Sequence, residues 1–338
     1  FMVTINAKKL NYQLVKYLKW IITKVMEIFR VKKDIPFMKY SKISAVISIT
    51  TFILAIFFIS SKGLNLGVDF TGGTMMEVSY PKAANIENIR KTLKQIDLED
   101  TQVQNFGTEE DVLIRLPIIE DLSIAKLSEK VSAALKSSDN SMEVKRVESV
   151  GSQVGDELYE NGALAVLFVC IGIMLYLSLR FEWRFAIAAI TANMHDVIII
   201  LGFFAFFQWE FNLTVLAAVL AVLGYSVNES VVVFDRVREN FRSPKYRNSI
   251  VSEVINNAVT RTMSRTIMTH LSTQTVVISM LIFGGEILNN FALALTIGIL
   301  FGIYSSIMVG CPMAMWLGTN QSNLAISVPE KKKENTEL

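Results

Sequence analysis

The sequence is poor in the residues that build covalent cross-links and metal sites. Its 338 residues include only two cysteines and two histidines. Cys170 and Cys311 fall within long apolar segments, and residues 62–161 contain neither cysteine nor histidine. Disulfide frameworks and zinc sites need several of these side chains at short spacing. We therefore expect no disulfide, no metal site and no cofactor.

Motifs of common enzyme classes are also missing. No glycine-rich P-loop occurs, which argues against ATPase activity in this chain. The segment from Gly224 to Asn228 begins like the G-x-S-x-G motif of hydrolases but lacks its final glycine. His195 and His270 lie on different apolar segments, so there is no H-E-x-x-H zinc motif. The sequence predicts that the protein is not an enzyme.

Long apolar segments dominate the rest of the chain. Hydrophobic residues make up 51% of it, and the mean hydropathy is +0.41, which excludes an ordinary soluble protein. A helix needs about 20 apolar residues to cross about 30 Å of hydrocarbon. The fifth segment is the most polar, and its Thr269, His270 and Gln274 suit a helix that faces protein. The predicted spans are Ile43–Ser60, Gly162–Leu179, Phe185–Phe207, Leu213–Phe234, Thr266–Phe283 and Phe291–Leu317.

Positive charge is concentrated in alternate connections between these spans. Lysine and arginine crowd residues 1–42, 236–262 and 318–338, whereas residues 208–212 and 284–290 contain none. Under the positive-inside rule, both termini are cytoplasmic. The sequence thus predicts a basic cytoplasmic segment before the first span, a basic cytoplasmic loop at 236–262, and residues 61–161 outside the cytoplasm. The net charge of +2 says little about partners, and no nucleic-acid partner is expected.

Residues 12–30 have two interpretations. Lys16, Lys19, Glu27 and Arg30 share one helical face, which favours an amphipathic helix in the membrane interface. The alternative is a simple basic tether. The interrupting charges argue against a cleaved signal peptide.

Residues 61–155, called the inserted domain from here on, change from membrane-type to globular patterning. Alternation predicts strands at Thr74–Tyr80 and Asp111–Leu116, with Val112, Ile114 and Leu116 on one face. Helical spacing from Ile86 to Ile96 follows a plausible Asn85 cap. With a second helical stripe at 127–135 and strands at 101–106 and 142–150, the order is β-α-β-β-α-β, the ferredoxin-like arrangement.

The sequence Gly67-Val68-Asp69-Phe70-Thr71-Gly72-Gly73 follows the first span. Paired glycines permit a bulge or a positive φ. One interpretation is a tight exit from the membrane with Asp69 solvated. The other gives Asp69, Phe70, Gly72 and Gly73 a functional role.

Ionisable groups inside spans are functional candidates because each costs a few kcal/mol to insert. Glu229 lies seven residues before Arg236, about 10 Å from that membrane boundary, and Arg265 lies about 6 Å beyond Arg261 on an antiparallel helix. If paired, Arg265 would keep Glu229 ionised; if separated, burial would favour a proton on Glu229. The alternative is a static pair that fixes packing.

His195 and Asp196 lie near the middle of the third span. A deep carboxylate beside an imidazole suits a proton path. An interhelical hydrogen bond with a purely structural role is the alternative.

Several motifs together resemble those of the SecF family, in the RND superfamily. They are G-V-D-F-T-G-G at 67–73, F-E-W-R-F at 181–185, H-D-V at 195–197, G-Y-S-V-N-E-S-V-V-V-F-D-R-V-R-E-N at 224–240, S-R-T at 264–266, and F-G-G-E-I-L with F-A-L-A-L between 283 and 295. The resemblance covers nearly all of residues 37–317.

The resemblance implies a polytopic membrane protein that is half of an RND-type bundle, with a ferredoxin-like periplasmic domain and SecD as the other half. It implies residence in the bacterial inner membrane and use of the proton-motive force to draw unfolded polypeptide outward. The implied partners are SecD, the SecYEG channel, YajC and, indirectly, SecA, which pushes with ATP. The family's essential acidic and basic residues match Glu229 and Arg265. The family has Asn-Asp where this chain has Asn228-Glu229, so the carboxylate here reaches one methylene further.

Two other functions are compatible with the residues. One is a proton-driven small-molecule or lipid exporter of the same superfamily, which normally has both halves in one chain. The other is a translocon scaffold with no proton coupling.

Overall fold

The computed structural model of the protein describes residues 33–98, 101–118 and 124–319. Within these residues, six helical segments are long and apolar enough to cross a membrane. Residues 12–30 and most of the predicted tail at 318–338 lie outside the described residues. In chain order the helices are α1 (Ser41–Lys62), α2 (Val68–Thr71), α3 (Ile86–Lys94), α4 (Ile124–Ser138), α5 (Ser152–Arg180), α6 (Trp183–Phe207), α7 (Leu213–Arg242), α8 (Val251–Phe283), α9 (Gly285–Ser305) and α10 (Cys311–Trp316). The strands are β1 (Asn65–Leu66), β2 (Gly73–Ser79), β3 (Gln102–Phe106), β4 (Thr108–Leu116), β5 (Glu143–Val150) and β6 (Glu210–Phe211).

Each of the first five predicted spans lies on one helix, and several helices extend well beyond the apolar segments. Much of the predicted basic loop at 236–262 is helical, because α7 continues to Arg242 and α8 begins at Val251. Hydropathy detects only the part of a helix inside hydrocarbon, whereas backbone hydrogen bonds continue as long as side chains remain compatible with a helix.

Another predicted connection is also largely helical. The loop expected at 284–290 is reduced to a break at Gly284, and α9 begins at Gly285. At the start of α5, residues 152–161 form helical turns ahead of the apolar span.

The inserted domain contains a four-stranded sheet in the order β3-β4-β2-β5, with all neighbours antiparallel. The helices α3 and α4 complete the predicted ferredoxin-like order. Asn85 caps α3 as predicted, because its side chain accepts a hydrogen bond from the backbone N–H of Asn88 at 3.0 Å.

One face of the sheet packs against α3 and α4. Val112, Ile114 and Leu116 are buried in this core, as their alternation predicts, together with Leu93 and Val131. The other face of β4 is also buried at Leu113 and Arg115, because it lies against the connection between α6 and α7. The sheet therefore joins the inserted domain to the bundle.

The region where the inserted domain attaches to the bundle is called the joint from here on. It consists of residues 64–73, residues 208–213 and Arg115. In it, β1 pairs in parallel with β6, with Asn65 opposite Glu210 and Leu66 opposite Phe211. Gly72 and Gly73 adopt φ of 68° and 127°, a conformation that other residues rarely adopt. Of the two features that paired glycines permit, a bulge or a positive φ, this structure has the positive φ, and it lets the chain turn from α2 into β2.

Asp69 contacts the bundle directly. Its Oδ2 accepts a hydrogen bond from the backbone N–H of Leu213, the first residue of α7, at 3.0 Å. Asn212 caps the same helix through the backbone N–H of Val215 at 3.1 Å. A carboxylate at a helix N-terminus also interacts favourably with the helix dipole. Asp69 is therefore not merely solvated.

The bundle is centred on α6 and α7, the most buried spans, whereas α1, α5 and α8 are more exposed. The first span approaches α6 closely at Gly202, where an added Cβ would lie 2.4 Å from the Cβ of Ala55. Small residues allow such close helix contacts in membranes. Helix α9 packs on α7 and α8.

The last predicted span is interrupted by a π-helical turn at Ser306–Gly310. Pro312, just inside α10, has no backbone N–H to donate. The carbonyl of Met308, four residues earlier, instead accepts a hydrogen bond from Ser44 Oγ of α1 at 3.2 Å. Such turns are frequent at functional sites.

Replacing Gly202 by alanine tests the contact between α1 and α6. The added methyl group overlaps Ala55, so we expect Gly202→Ala to lower the free energy of unfolding by about 1–3 kcal/mol. Gly172→Ala in α5 is the matched control, because nothing lies within 4 Å of the position that its added Cβ would take. Thermal unfolding of the purified full chain in detergent measures both, and equal unfolding temperatures would contradict the contact.

Substitution of Asp69 tests the attachment of the inserted domain to α7. We expect Asp69→Ala to destabilise the protein by about 0.5–2 kcal/mol, as for other lost helix caps, and Asp69→Asn to lose less because it keeps an acceptor. Asp69→Ala also removes the repulsion between Asp69 and Glu210, which stabilises the protein. This gain is smaller than the loss of the cap, because Glu210 is already paired with Arg115. Asp156→Ala removes an exposed carboxylate as the control, and an unfolding temperature for Asp69→Ala that matches this control would contradict the capping role.

Candidate functional site

Glu229 is buried in the bundle, with 4% of its surface exposed. Its Oε1 accepts a hydrogen bond from the hydroxyl of Thr266 on α8. Among the described residues it forms no ion pair. Of the two arrangements predicted for Glu229 and Arg265, this structure has the separated one.

Arg265 lies beside Thr266 in sequence, but its side chain is exposed in a groove of about 940 Å³ between α7 and α8. Asn228 lines the same groove. Asn228 therefore faces the groove, whereas its neighbour Glu229 is buried against Thr266 of α8. The other arginines that line the groove are Arg236, Arg238, Arg242 and Arg261.

Asp196 forms a second buried cluster, with 1% of its surface exposed. Its Oδ2 accepts hydrogen bonds from Ser226 Oγ on α7 and Ser305 Oγ on α9, each at 2.7 Å. The Nδ1 atom of His195 lies 3.5 Å from Asp196 Oδ1, and the imidazole stacks against Phe52 of α1. The predicted His195–Asp196 pair is therefore present and connects four spans.

The hydroxyl partners suit carboxyl groups that change protonation state. A hydroxyl can donate to a carboxylate or accept from a carboxylic acid, whereas a guanidinium only donates. Thr266 Oγ1 has an alternative acceptor, the carbonyl of Thr262 at 3.3 Å. Ser305 Oγ has one in the carbonyl of Gly302, also at 3.3 Å. Each hydroxyl can thus turn its proton away when the neighbouring carboxyl group gains one.

The other predicted residues lie at the joint. Asp69 caps α7, Gly72 and Gly73 form the turn into β2, and Phe70 stacks on Phe211 with ring centroids 5.9 Å apart. Glu210, beside them, pairs with Arg115 of the sheet. Burial raises the pKa of Glu210, the Arg115 guanidinium opposes that effect, and the Asp69 carboxylate adds to it.

Sequence reasoning did not identify the hydroxyl partners Ser226, Ser305 and Thr266. Ser226 and Thr266 lie within the motifs at 224–240 and 264–266, and those motifs were the signal that could have identified them. Ser305 carries no comparable signal, because serine is common in helical bundles.

Comparison with known proteins identifies the family. A family model described as "Protein export membrane protein SecD/SecF, C-terminal" matches residues 130–320, and one described as "SecD/SecF GG Motif" matches residues 57–84. The protein translocase subunit SecF of Vibrio alginolyticus is 44% identical over 315 residues, which cover 93% of this chain and 99% of the relative. The SecF of Pseudomonas aeruginosa is 41% identical, with 90% and 97% covered.

Solved structures agree with the sequence comparison. The crystal structure of SecDF from Thermus thermophilus, described as a translocon-associated membrane protein, matches with a TM-score of 0.76 and 32% identity. The match covers 85% of this chain and 39% of that longer chain. A SecDF structure in a super-membrane-facing form matches with a TM-score of 0.63. The chain is therefore a multi-pass membrane protein and belongs to the SecF family of protein translocase subunits.

Proposed function

We propose that this chain couples proton movement through its bundle to movement of the inserted domain, and so promotes transport of unfolded polypeptide across the bacterial inner membrane. Glu229 is the proton-carrying group, and Arg265 is a partner that approaches it in another state of the cycle. His195, Asp196 and Asn228 assist proton movement. The chain contributes no catalytic chemistry in this proposal.

The observation that carries the proposal is that a single helix, α7, contains the proposed proton site and also contacts the inserted domain. Buried Glu229 lies within α7, and Asp69 of the joint caps the N-terminus of α7. By helical rise, the 16 residue-to-residue steps from Leu213 to Glu229 span about 24 Å. Because a helix is stiff over this length, displacement of α7 at Glu229 is transmitted to the inserted domain.

Partners and orientation follow from the family and the charge pattern. The longer SecDF chain supports a SecD-like subunit as the other half of the bundle, with the SecYEG channel as its site of action. YajC and, indirectly, SecA complete the proposed assembly. Both termini are cytoplasmic and residues 61–161 are periplasmic in this proposal, since lysine and arginine gather at the opposite ends of the spans.

Glu229→Gln tests proton coupling directly. In vesicles that contain the chain with its SecD partner, SecYEG and SecA, we expect Glu229→Gln to remove the stimulation of preprotein transport by the proton-motive force. A glutamine keeps the size and one hydrogen bond but does not titrate. Glu229→Asp should retain part of the stimulation, because it keeps a carboxyl group.

Glu239→Gln is the matched control, because it makes the same change on the same helix at an exposed surface. We expect it to behave like the parent protein. Full stimulation of transport by Glu229→Gln in a normally assembled complex would contradict proton coupling and favour the scaffold function.

Orientation has a separate test by cysteine labelling of intact cells. Asn140 in the inserted domain and Asn248 between α7 and α8 are both exposed. With a membrane-impermeant maleimide, we expect Asn140→Cys to be labelled after the outer membrane is made permeable, and Asn248→Cys only after cell lysis. Labelling of the parent protein gives the background from Cys170 and Cys311. The reverse pattern would contradict the proposed orientation.

A further inference from the structure

A row of polar side chains continues from Glu229 along the interface of α7 and α8. Thr266, His270 and Gln274 recur every four residues on α8, so they share one face. Tyr225 lies one turn before Glu229 on α7. The helices are antiparallel, so the Glu229–Thr266 contact is followed about 6 Å further along by Tyr225 and His270, whose ring centroids are 4.9 Å apart.

His270 is held in one tautomer. It is 3% exposed, and its Nδ1 lies 2.8 Å from the backbone carbonyl of Thr266. A carbonyl oxygen only accepts hydrogen bonds, so Nδ1 carries the proton. In the neutral imidazole, Nε2 therefore has a free lone pair and is the atom that accepts a proton.

Three polar atoms in this row are buried without a hydrogen-bond partner among the described residues. They are Tyr225 Oη, His270 Nε2 and Gln274 Oε1. The amide nitrogen of Gln274 is anchored by Thr296 Oγ1 of α9 at 3.1 Å. Buried polar atoms in native proteins bind either protein groups or ordered water. Three such atoms in one row point to a file of water molecules.

We propose that His270 is a proton relay residue for Glu229, reached through water molecules bound by Gln274, Tyr225 and His270. This inference rests on the proposed proton coupling and adds the route. In the orientation proposed above, the row lies on the periplasmic side of Glu229, so it carries the entering proton.

The proton balance of the relay is simple. A hydrated proton is transferred to Nε2 of neutral His270, which forms an imidazolium while Nδ1–H stays bound to the Thr266 carbonyl. The imidazolium then releases the same proton from Nε2 through water to the Glu229 carboxylate. Neutral imidazole and a carboxylic acid result, and the Thr266 hydroxyl turns to the Thr262 carbonyl. Of the titratable groups on α7, Tyr225 is in ring contact with His270 and Glu229 lies one turn away.

The test uses the full complex in vesicles and measures transport driven by the proton-motive force in H₂O and in D₂O. His270→Asn keeps an N–H donor for the Thr266 carbonyl but removes the titratable nitrogen. We expect a loss of rate on the order of a hundredfold and a changed solvent isotope effect. Tyr225→Phe keeps the ring contact and removes only the hydroxyl, and we expect a smaller loss. Ser272→Asn introduces the same side chain on the exposed face of α8 and should match the parent.

The outcomes separate this inference from the proposed function. If Glu229→Gln abolishes the stimulation but His270→Asn matches the parent in rate and isotope effect, the relay is overturned and proton coupling stands. A slower His270→Asn with the parent's isotope effect indicates a packing role and also overturns the relay. Retained stimulation in Glu229→Gln overturns the proposed function and the relay with it. If His270→Asn fails to assemble with its partner, Tyr225→Phe decides, and a parent-like rate overturns the water file.

Discussion

The bundle depends on how two carboxyl groups are accommodated away from water. An unpaired charge in hydrocarbon costs several kcal/mol, and the usual remedy is a cation close by. Here Glu229 and Asp196 instead accept hydrogen bonds from hydroxyl groups of neighbouring helices. A hydroxyl stabilises a carboxylate less than a guanidinium does. Unlike a guanidinium, however, it can also accept a hydrogen bond from the protonated carboxylic acid. The site is therefore suited to gaining and losing a proton without leaving a buried polar group unsatisfied.

This requirement also explains why α6 and α7 occupy the centre of the bundle. The two carboxyl groups must be buried, so α6 and α7, which carry them, are covered by the other helices. Helices α1, α5 and α8 keep apolar faces exposed, as helices in contact with lipid or with another membrane subunit do. The family relationship makes a second subunit a natural occupant of part of that surface.

Much of the architecture follows from local patterns in the sequence. Local interactions explain three of its features: the alternation of Val112, Ile114 and Leu116, the Asn85 cap, and the apolar length of the spans. The joint, in contrast, depends on residues far apart in the sequence. Arg115 and Glu210 are 95 residues apart, and the two-residue strands β1 and β6 are too short to show a period. Helix ends were misjudged at 236–262 because hydropathy follows the membrane and not the helix. The burial of Glu229 was predictable from its motif, whereas its separation from Arg265 depends on the rotation of α8, which no spacing in the sequence determines.

The small size of the β1–β6 pair limits how the inserted domain can move. Paired strands keep their hydrogen bonds only at whole-residue offsets, about 3.3 Å apart. With two residues in each strand, a slip by two positions leaves nothing paired, and a slip by one turns the side chains to the wrong face. The β1–β6 pair therefore has two states, paired and unpaired, with no graded positions between them. In the proposed coupling, a displacement of α7 would keep or break this pair as a whole.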